Sequence, residues 1–298
     1  MKDIAQRLAA EITGDVKTAE PMSKHTTFKI GGPADLFVEP QTTEDLIRSL
    51  EFLRGQSIPV FVMGNGSNLL VSDSGYRGAV IRLAGEFLRT DYGPTTVDAG
   101  AAVSLPKLAR EASARGLGGL EFAAGIPATI GGALMMNAGA HGCEIGGVIA
   151  EAEILDTDLK VHTLRHKDLG LSYRRSNLAP GAVVCRVRLE LEPGESEALL
   201  AKCHHNLQVR RERQPRLPNA GSIFKNPPED AAGRLIDAAG LKGRRSGGAM
   251  ISEVHANFIV NCGNATAEDV CTLINMAKTA VAEQFGMELK LEVRLLGY

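Results

Sequence analysis

Apolar residues along this chain change period several times, and each change marks an element. Over residues 42–55 they recur at helical spacing. Leu46, Ile47, Leu50 and Leu53 follow Thr42, which can cap the first turn with Asp45 three residues on, and Gly55 closes the helix. Ile58–Met63 is a nearly continuous apolar run and predicts a buried strand, leading into the loop Gly64-Asn65-Gly66-Ser67-Asn68. Leu69–Val71 and Ala79–Leu83 predict short strands on either side of Asp73-Ser74-Gly75 turn chemistry. After a strand at Val97–Ala99, Ser104 is placed to cap a helix with Leu105, Leu108, Ala109 and Ala112 on one face, ending near Gly116.

From Val148 the pattern turns strand-like, with segments at Ala152–Asp156, Val161–Leu164 and Ala182–Leu191. Pro193-Gly194 breaks it, and a long polar helix is expected from about Glu195 to Arg213. Then come a short helix at Arg234–Ala239 ended by Gly240, a strand at Asn257–Val260, and a capped helix from Thr266 to Phe285. Val270, Leu273, Ile274, Ala277 and Val281 form the apolar face of that last helix, and Gly286 suits its C′ position. In the terminal Glu288–Leu296, Leu289, Leu291, Val293 and Leu295 are expected to face one way. Mixed helix and strand place the chain in the α/β or α+β class, with breaks near residues 85 and 195 giving three parts: 1–85, 86–194 and 195–298.

Composition narrows the functional classes. With 44% hydrophobic and 23% charged residues, the 298-residue chain has the make-up of an ordinary globular protein. A net charge of −2 gives no general attraction to nucleic acid or to a membrane surface. Met1–Ala10 mixes charges with short apolar steps, so no secretory leader is expected, and no apolar run reaches the ~20 residues of a membrane span. The five cysteines include no CxxC pair, which argues against a zinc site or a disulfide framework. They are expected as reduced thiols in a cytoplasmic protein, with Cys143 a buried structural one.

The chemistry concentrates in small-residue loops. Residues 120–142 read LEFAAGIPATIGGALMMNAGAHG, with glycines at 125, 131, 132, 139 and 142 and almost no charge. Side chains this small let main-chain N–H groups approach a ligand. Gly64–Asn68 alone reads as a strand-to-strand turn, because a lone GxG is weak. Paired with 125–142, it points to a nucleotide-containing cofactor. Ser172-Tyr173-Arg174-Arg175-Ser176 is either a solvated loop or an arginine fork for a carboxylate or diphosphate. Pro218–Pro227 offers Ser222, Lys225 and Asn226 between apolar anchors. It reads as a hairpin turn or as a reactive serine served by His204, His205 or His255. Arg210-Arg211-Glu212-Arg213 is a basic run that fits a diphosphate or a solvated helix face. Glu292 lies on the polar side of the last strand, where a buried carboxylate could be tuned for proton transfer.

Seven segments carry a resemblance: HTTFKIGGPA at 25–34, GNGSNLLVSD at 64–73, GIPATIGGALMMNAG at 125–139, SYRRS at 172–176, NAGSIFKNP at 219–227, HANFIVN at 255–261 and LEVRLLG at 291–297. In this order and over nearly the whole chain, they resemble the UDP-N-acetylenolpyruvoylglucosamine reductases, flavoenzymes of peptidoglycan precursor synthesis. The resemblance implies an α+β chain with a FAD-binding fold of the vanillyl-alcohol-oxidase/PCMH type. It places flavin subdomains at 1–85 and 86–194 and a C-terminal α+β substrate domain at 195–298, in the compact class without an extra substrate-covering insertion. The implied reaction is NADPH-dependent reduction of UDP-N-acetylglucosamine enolpyruvate to UDP-N-acetylmuramate through non-covalent FAD. Hydride goes to the terminal enol-ether carbon and a proton to the carbon bearing the carboxylate.

By the same resemblance Arg174 stabilises the enolate-like charge, Glu292 stands near that carboxylate and Ser222 donates the proton. FAD contacts are expected from Gly64, Asn65, Gly66, Ser67, Asn68, Gly125, Ile126, Pro127, Gly131, Gly132, Asn137, Ala138 and Gly139. Ser67, Asn68 and Asn137 would supply the polar side chains. Substrate contacts are expected from Tyr173, Lys225, Asn226 and Arg213. A monomer in the cytoplasm is expected, with no metal, nucleic acid or membrane partner. Ala128 stands where the family commonly has glycine and His141 where it usually has tyrosine, and both bear on the flavin contacts. Three rival readings remain on sequence: a covalent-flavin oxidase of the same fold, a nucleotide sensor without turnover, and a hydrolase using Ser222 and a histidine. SYRRS and NAGSIFKNP count against the first, and the joint presence of Arg174, Ser222 and Glu292 counts against the second. The third rests on composition alone.

Overall fold

The computed structural model describes all 298 residues, which divide by internal contact into two compact units. The first comprises Met1–Thr18, Leu36–Asn65 and Gly78–Arg210, and the second Ala19–Asp35, Gly66–Arg77 and Arg211–Tyr298. The divisions fall inside the strands Asp15–Pro21, Pro33–Glu39 and Tyr76–Arg82, inside the Gly64–Asn68 loop and inside the helix Ser196–Arg213. A four-stranded sheet runs in the order Asp15–Pro21, Pro33–Glu39, Tyr76–Arg82, Val60–Met63, the last two strands parallel. The strand expected to be buried at Ile58–Met63 starts at Val60, and only Met63 of it is buried. The helix Thr43–Gly55 begins as its sequence predicts, the Thr42 hydroxyl accepting from the Asp45 N–H at 3.1 Å.

In the first unit, five antiparallel strands follow the order Val161–Arg165, Ile149–Leu155, Val183–Glu190, Thr96–Gly100, Thr90–Tyr92. Their cause is period-two patterning: Val187 and Leu189 are buried while Arg188 and Glu190 point outward. Arg188 stands opposite Asp98 on the neighbouring strand and bonds it at 2.9 and 3.0 Å. The helix Leu105–Ala114 departs from expectation at its start. Ser104 occupies the N-cap position but makes no side-chain cap bond. Pro106 at the second helical position has no N–H to be capped, and the Leu105 N–H donates to Ala128 O at 2.9 Å, so the glycine-rich segment satisfies one of the free groups at the helix start.

The second unit has its own core, with Phe28, Ile30 and Leu70 packed among Ile223, Phe224, Leu235, Ile259, Leu273 and Val293. Helix Ala267–Phe285 carries the expected Thr266–Asp269 capping box and a left-handed Gly286 (φ 65°). Asp73 adds acceptors at the same helix start, from the Ala267 and Glu268 N–H groups at 2.8 and 3.1 Å. Three short antiparallel strands, Arg245–Ser246, Ala249–Ile251 and Ile259–Asn261, form its sheet.

The chain terminus corrects the expected uninterrupted alternation. Leu289 and Val293 are buried and Leu291 half-buried, but Leu295 is 40% exposed and Leu296 takes the inward place. The Glu292 and Val293 N–H groups both donate to Ile223 O, at 2.9 and 3.3 Å, which shifts the register by one residue. Arg294–Leu296 then pairs in parallel with Leu69–Val71. No helix is long and apolar enough to cross a membrane.

Candidate active site

In the first unit the two small-residue segments lie side by side. A Cβ on Gly64 would collide with the Thr129 hydroxyl, and the Asn65 side-chain amide reaches Pro127 O at 3.4 Å. Gly131 packs on Ala101, where a Cβ would come within 2.8 Å of the alanine side chain. These two glycines therefore serve loop-on-loop packing, while half-exposed backbone at Gly64, Gly125, Ile126 and Gly132 faces outward. Thr129, which sequence reasoning passed over, holds the join. Its hydroxyl accepts from the Gly132 N–H at 3.2 Å and starts the helix Ile130–Met135. Its signal was present as a Thr three residues before a glycine in the first turn.

The donor set fits FAD. Residues 60–72 and 122–143 contain no Asp or Glu, so nothing there repels a diphosphate. Arg210 lies against Gly125, its Cδ 2.7 Å from where a glycine Cβ would stand. Burial pulls this guanidinium below the ordinary arginine value, and a desolvated cation beside the loop favours an anionic ligand.

Asn137 has partners within the protein on all sides of its amide. It is buried and left-handed (φ 40°), and its amide donates to Glu144 at 2.8 Å and Ser172 O at 3.2 Å while accepting from the Gly146 N–H at 3.0 Å. The side chain is a strut between the glycine segment and the SYRRS segment. Ala138 and Gly139 follow it half-exposed. His141 and Gly142 (φ 53° and 78°) form the exposed two-residue turn of the hairpin Gly139–Ala140/Cys143–Glu144. Cys143 is exposed on that hairpin, which corrects the expectation of a buried thiol.

SYRRS forms a tight turn, in which Ser172 and Arg175 exchange both backbone bonds at 2.9 and 3.0 Å. Arg174 sits at its second central position with φ 54°, a place that ordinarily favours Gly or Asn. Its guanidinium is inside the protein surface, the side chain 19% exposed, with Gly139 O at 3.3 Å, the Glu144 carboxylate at 4.0 Å and the Tyr173 ring at 4.9 Å. Ser176 ties the turn down through its hydroxyl to Met135 O at 3.1 Å. Arg174 is thus the more enclosed of the two neighbours, while Tyr173 is 48% exposed.

In the second unit the remaining loop residues converge. Gly66 has φ 60°, which a side chain would strain, and its carbonyl accepts from the Thr27 N–H at 3.3 Å. A Cβ on Gly221 would stand 4.0 Å from Ser67 O, so the Ser222 loop adjoins the 66–68 segment. Asn68 donates its side-chain amide to Glu292 O at 3.0 Å, and its own carbonyl accepts from the Arg294 N–H at 3.0 Å.

Ser222 and Glu292 come from adjacent backbone, since Ile223 O accepts the Glu292 N–H at 2.9 Å. Lys225 is half-buried, its N–H donating to Lys290 O at 2.8 Å. Asn226 spends its side-chain oxygen on the Ala232 N–H at 3.1 Å, at the start of the helix Ala232–Ala238. Arg213 is exposed at the end of helix Ser196–Arg213. His255 accepts from the Asn257 N–H through Nδ1 at 3.2 Å, so that nitrogen does not serve Ser222 as a base. Asn257, unassigned on sequence, brackets Phe224: its side chain accepts from the Phe224 N–H at 2.9 Å and donates to Phe224 O at 2.8 Å.

Comparison with known proteins places this geometry. A profile of the UDP-N-acetylenolpyruvoylglucosamine reductase C-terminal domain matches residues 213–296, and a FAD binding domain profile matches 34–165. A protein of Symbiobacterium thermophilum named UDP-N-acetylenolpyruvoylglucosamine reductase 2 is 48% identical over 302 residues, covering 100% of this chain and 98% of its own. This chain belongs to the UDP-N-acetylenolpyruvoylglucosamine reductase family. The crystal structure of the reductase from Thermus caldophilus superposes with a TM-score of 0.83 at 41% identity, over 96% of this chain and 99% of that one. A Physcomitrella patens protein, BBE-like 1, shares the fold alone, with a TM-score of 0.50 at 14% identity over 64% of this chain and 44% of that one. The fold of this reductase-family chain is α+β with a FAD-binding domain of the vanillyl-alcohol-oxidase/PCMH type, as the resemblance implied.

Proposed function

We infer that this chain reduces UDP-N-acetylglucosamine enolpyruvate to UDP-N-acetylmuramate with NADPH, in peptidoglycan precursor synthesis. The observation that carries the reading is full-length membership of the reductase family together with the loop pair that fits FAD. FAD held there would supply the hydride, drawn from NADPH, that the terminal carbon of the enol ether receives. Hydride addition to that alkene needs the substrate carboxylate to accept negative charge. Arg174 meets this need: its guanidinium is held in place before reaction by Gly139 O and the Tyr173 ring, so little reorganisation is required. Ser222 then gives the proton to the carbon bearing the carboxylate. A serine hydroxyl is a weak acid, so it requires a neighbour such as Glu292, whose N–H shares the Ile223 carbonyl next to it, or Lys225 three residues on.

Gly64–Asn68 and Gly125–Gly139 hold FAD non-covalently, chiefly through backbone. Tyr173, Lys225, Asn226 and Arg213 serve the substrate. Parts 1–85 and 86–194 are the flavin subdomains, containing the four-stranded and five-stranded sheets respectively, and 195–298 is the substrate domain. The enzyme works in the cytoplasm, a reading supported by its five free cysteines, and as a monomer, as the resemblance implies.

The deciding experiment follows flavin absorbance under anaerobic conditions. The FAD-loaded protein is reduced with NADPH, and the enolpyruvyl UDP-sugar is then added. Prompt reoxidation is expected. Flavin that stays reduced rejects this substrate, and protein that takes up no FAD rejects the cofactor reading.

A further inference from the structure

The segment His25–Ala34 carries the family resemblance, yet none of its residues has a role in the reaction as derived above. Its backbone is unusually fixed. The Thr26 hydroxyl, 2% exposed, donates to Ile30 O at 3.0 Å, and the Lys29 N–H donates to Thr26 O at 3.2 Å, with Lys29 left-handed at φ 58°. Asn261 holds the preceding residue by donating to Phe28 O at 3.1 Å, and the Phe28 ring is fully buried. Thr27 stands at the centre of this braced turn and reaches two segments. Its N–H donates to Gly66 O at 3.3 Å, and its hydroxyl donates to Asn219 O at 2.7 Å.

Asn219 opens the turn that presents Ser222. Its side chain accepts from the Gly221 N–H at 2.8 Å and donates to Leu217 O at 2.7 Å, so residues 217–221 are tied into one turn. Asn257 fixes the far side of Ser222, at Ile223 and Phe224. On the near side, the Thr27 hydroxyl bonds the carbonyl at which the turn begins. We propose that Thr27 is a positioning residue: its hydroxyl sets the distance between the Ser222 turn and the Gly66–Asn68 loop. The inference rests on Ser222 being the proton donor. Its main-chain bond to Gly66 O is separate and survives side-chain substitution.

The test compares Thr27→Val, Thr27→Ser, Ser222→Ala and the Thr27→Val/Ser222→Ala pair. Readouts are FAD affinity by fluorescence quenching and the rate of flavin reoxidation by the enolpyruvyl UDP-sugar. Thr27→Val keeps the shape and the N–H but loses the hydroxyl, so FAD affinity should stay within about twofold while reoxidation slows about tenfold, inside the ~100-fold that a ~1 Å displacement causes. Thr27→Ser should restore the rate. Added to Ser222→Ala, Thr27→Val should slow reoxidation no further, because the group it positions is gone. Wild-type reoxidation in Thr27→Val, or a full tenfold loss added to Ser222→Ala, overturns the proposal. Wild-type reoxidation in Ser222→Ala alone overturns the proton-donor reading and the inference with it.

Discussion

The two loops that carry the candidate chemistry are held in opposite ways. Arg174 sits at the tip of a two-residue turn in a left-handed conformation, and its guanidinium is located by side-chain contacts: Gly139 O, Glu144 and the Tyr173 ring. Ser222 lies in a segment located by main chain, with Ile223 bonded to Asn257 and Glu292 and Phe224 bonded to both polar atoms of the Asn257 side chain. Each loop has one buried asparagine brace, but Asn137 reaches the SYRRS turn by a single bond at Ser172 O, 3.2 Å long. The difference matches the two tasks. A guanidinium binds charge from a distance and tolerates small errors in placement, whereas proton transfer needs its donor within hydrogen-bond reach.

The sharpest break of this comparison removes each working group. Ser222→Ala should leave FAD binding and flavin reduction by NADPH intact but slow reoxidation by the enolpyruvyl UDP-sugar by roughly 10²–10⁴-fold, the span of general acid catalysis. Stopped-flow absorbance of each half-reaction separates the two. Arg174→Lys keeps the charge but loses the planar fork, and the ammonium cannot take up the same contacts with Gly139 O and the tyrosine ring. A fall of about 10–100-fold is expected in the same half-reaction, less than the ~10²–10³ for complete loss of a stabilising donor. Equal losses in both half-reactions would place Arg174 in NADPH binding instead.

How much of this was legible in the sequence differs between the loops as well. The helix Ala267–Phe285 and the strand Val183–Glu190 follow from local rules, a capping box and period two, and form where they are expected. The Ser104 cap bond does not form, and Pro106 removes one of the N–H groups that a cap accepts from, whereas the bond from the Leu105 N–H to the distant Ala128 O follows from no local rule. Asn137 is expected at the flavin by resemblance, and no local pattern shows that its side chain also bonds Glu144, Ser172 O and the Gly146 N–H. The Arg174 turn was ambiguous because its neighbours Gly139 and Glu144 lie 35 and 30 residues away in sequence. Asn257 and Thr27 were visible only as letters in matched motifs. Their function is to satisfy backbone groups of a segment far along the chain, which patterning cannot reveal.

The braces allow a finer test. Asn257→Ala leaves the N–H and carbonyl of Phe224 without their side-chain partners in a residue that is 2% exposed. A destabilisation of about 2–3 kcal/mol is expected from two buried groups left unsatisfied. Urea unfolding measures it, and the surviving folded protein should also show slowed reoxidation. Asn137→Ala should destabilise by a comparable ~2 kcal/mol, since its three partners also lose a bond. Its effect on reoxidation should be smaller, because it meets the SYRRS turn only at Ser172 O. An activity loss in Asn137→Ala as large as in Asn257→Ala would erase the contrast between the loops.

The smallest effect expected is a pH dependence confined to the Ser222 side. Burial, with the Lys242 charge adding to it, holds His255 below its ordinary imidazole value. Its Nδ1 accepts from the Asn257 N–H, which only the neutral ring can do. A group whose folded value is lowered contributes stability that is fully present above its unfolded value, about 6.5, and is lost as pH falls through the folded value. The urea midpoint of the wild type should therefore decline as pH drops below 6.5, and that slope should be shallower in His255→Gln, whose amide does not titrate. Loss of the single bond to Asn257 limits the effect at neutral pH to about 0.5–1.5 kcal/mol. Because Asn257 in turn brackets Phe224, reoxidation should fall with the midpoint over the same pH range while flavin reduction by NADPH holds. A wild-type slope unchanged by His255→Gln would assign the decline to other groups and leave the Ser222 segment insensitive to this histidine.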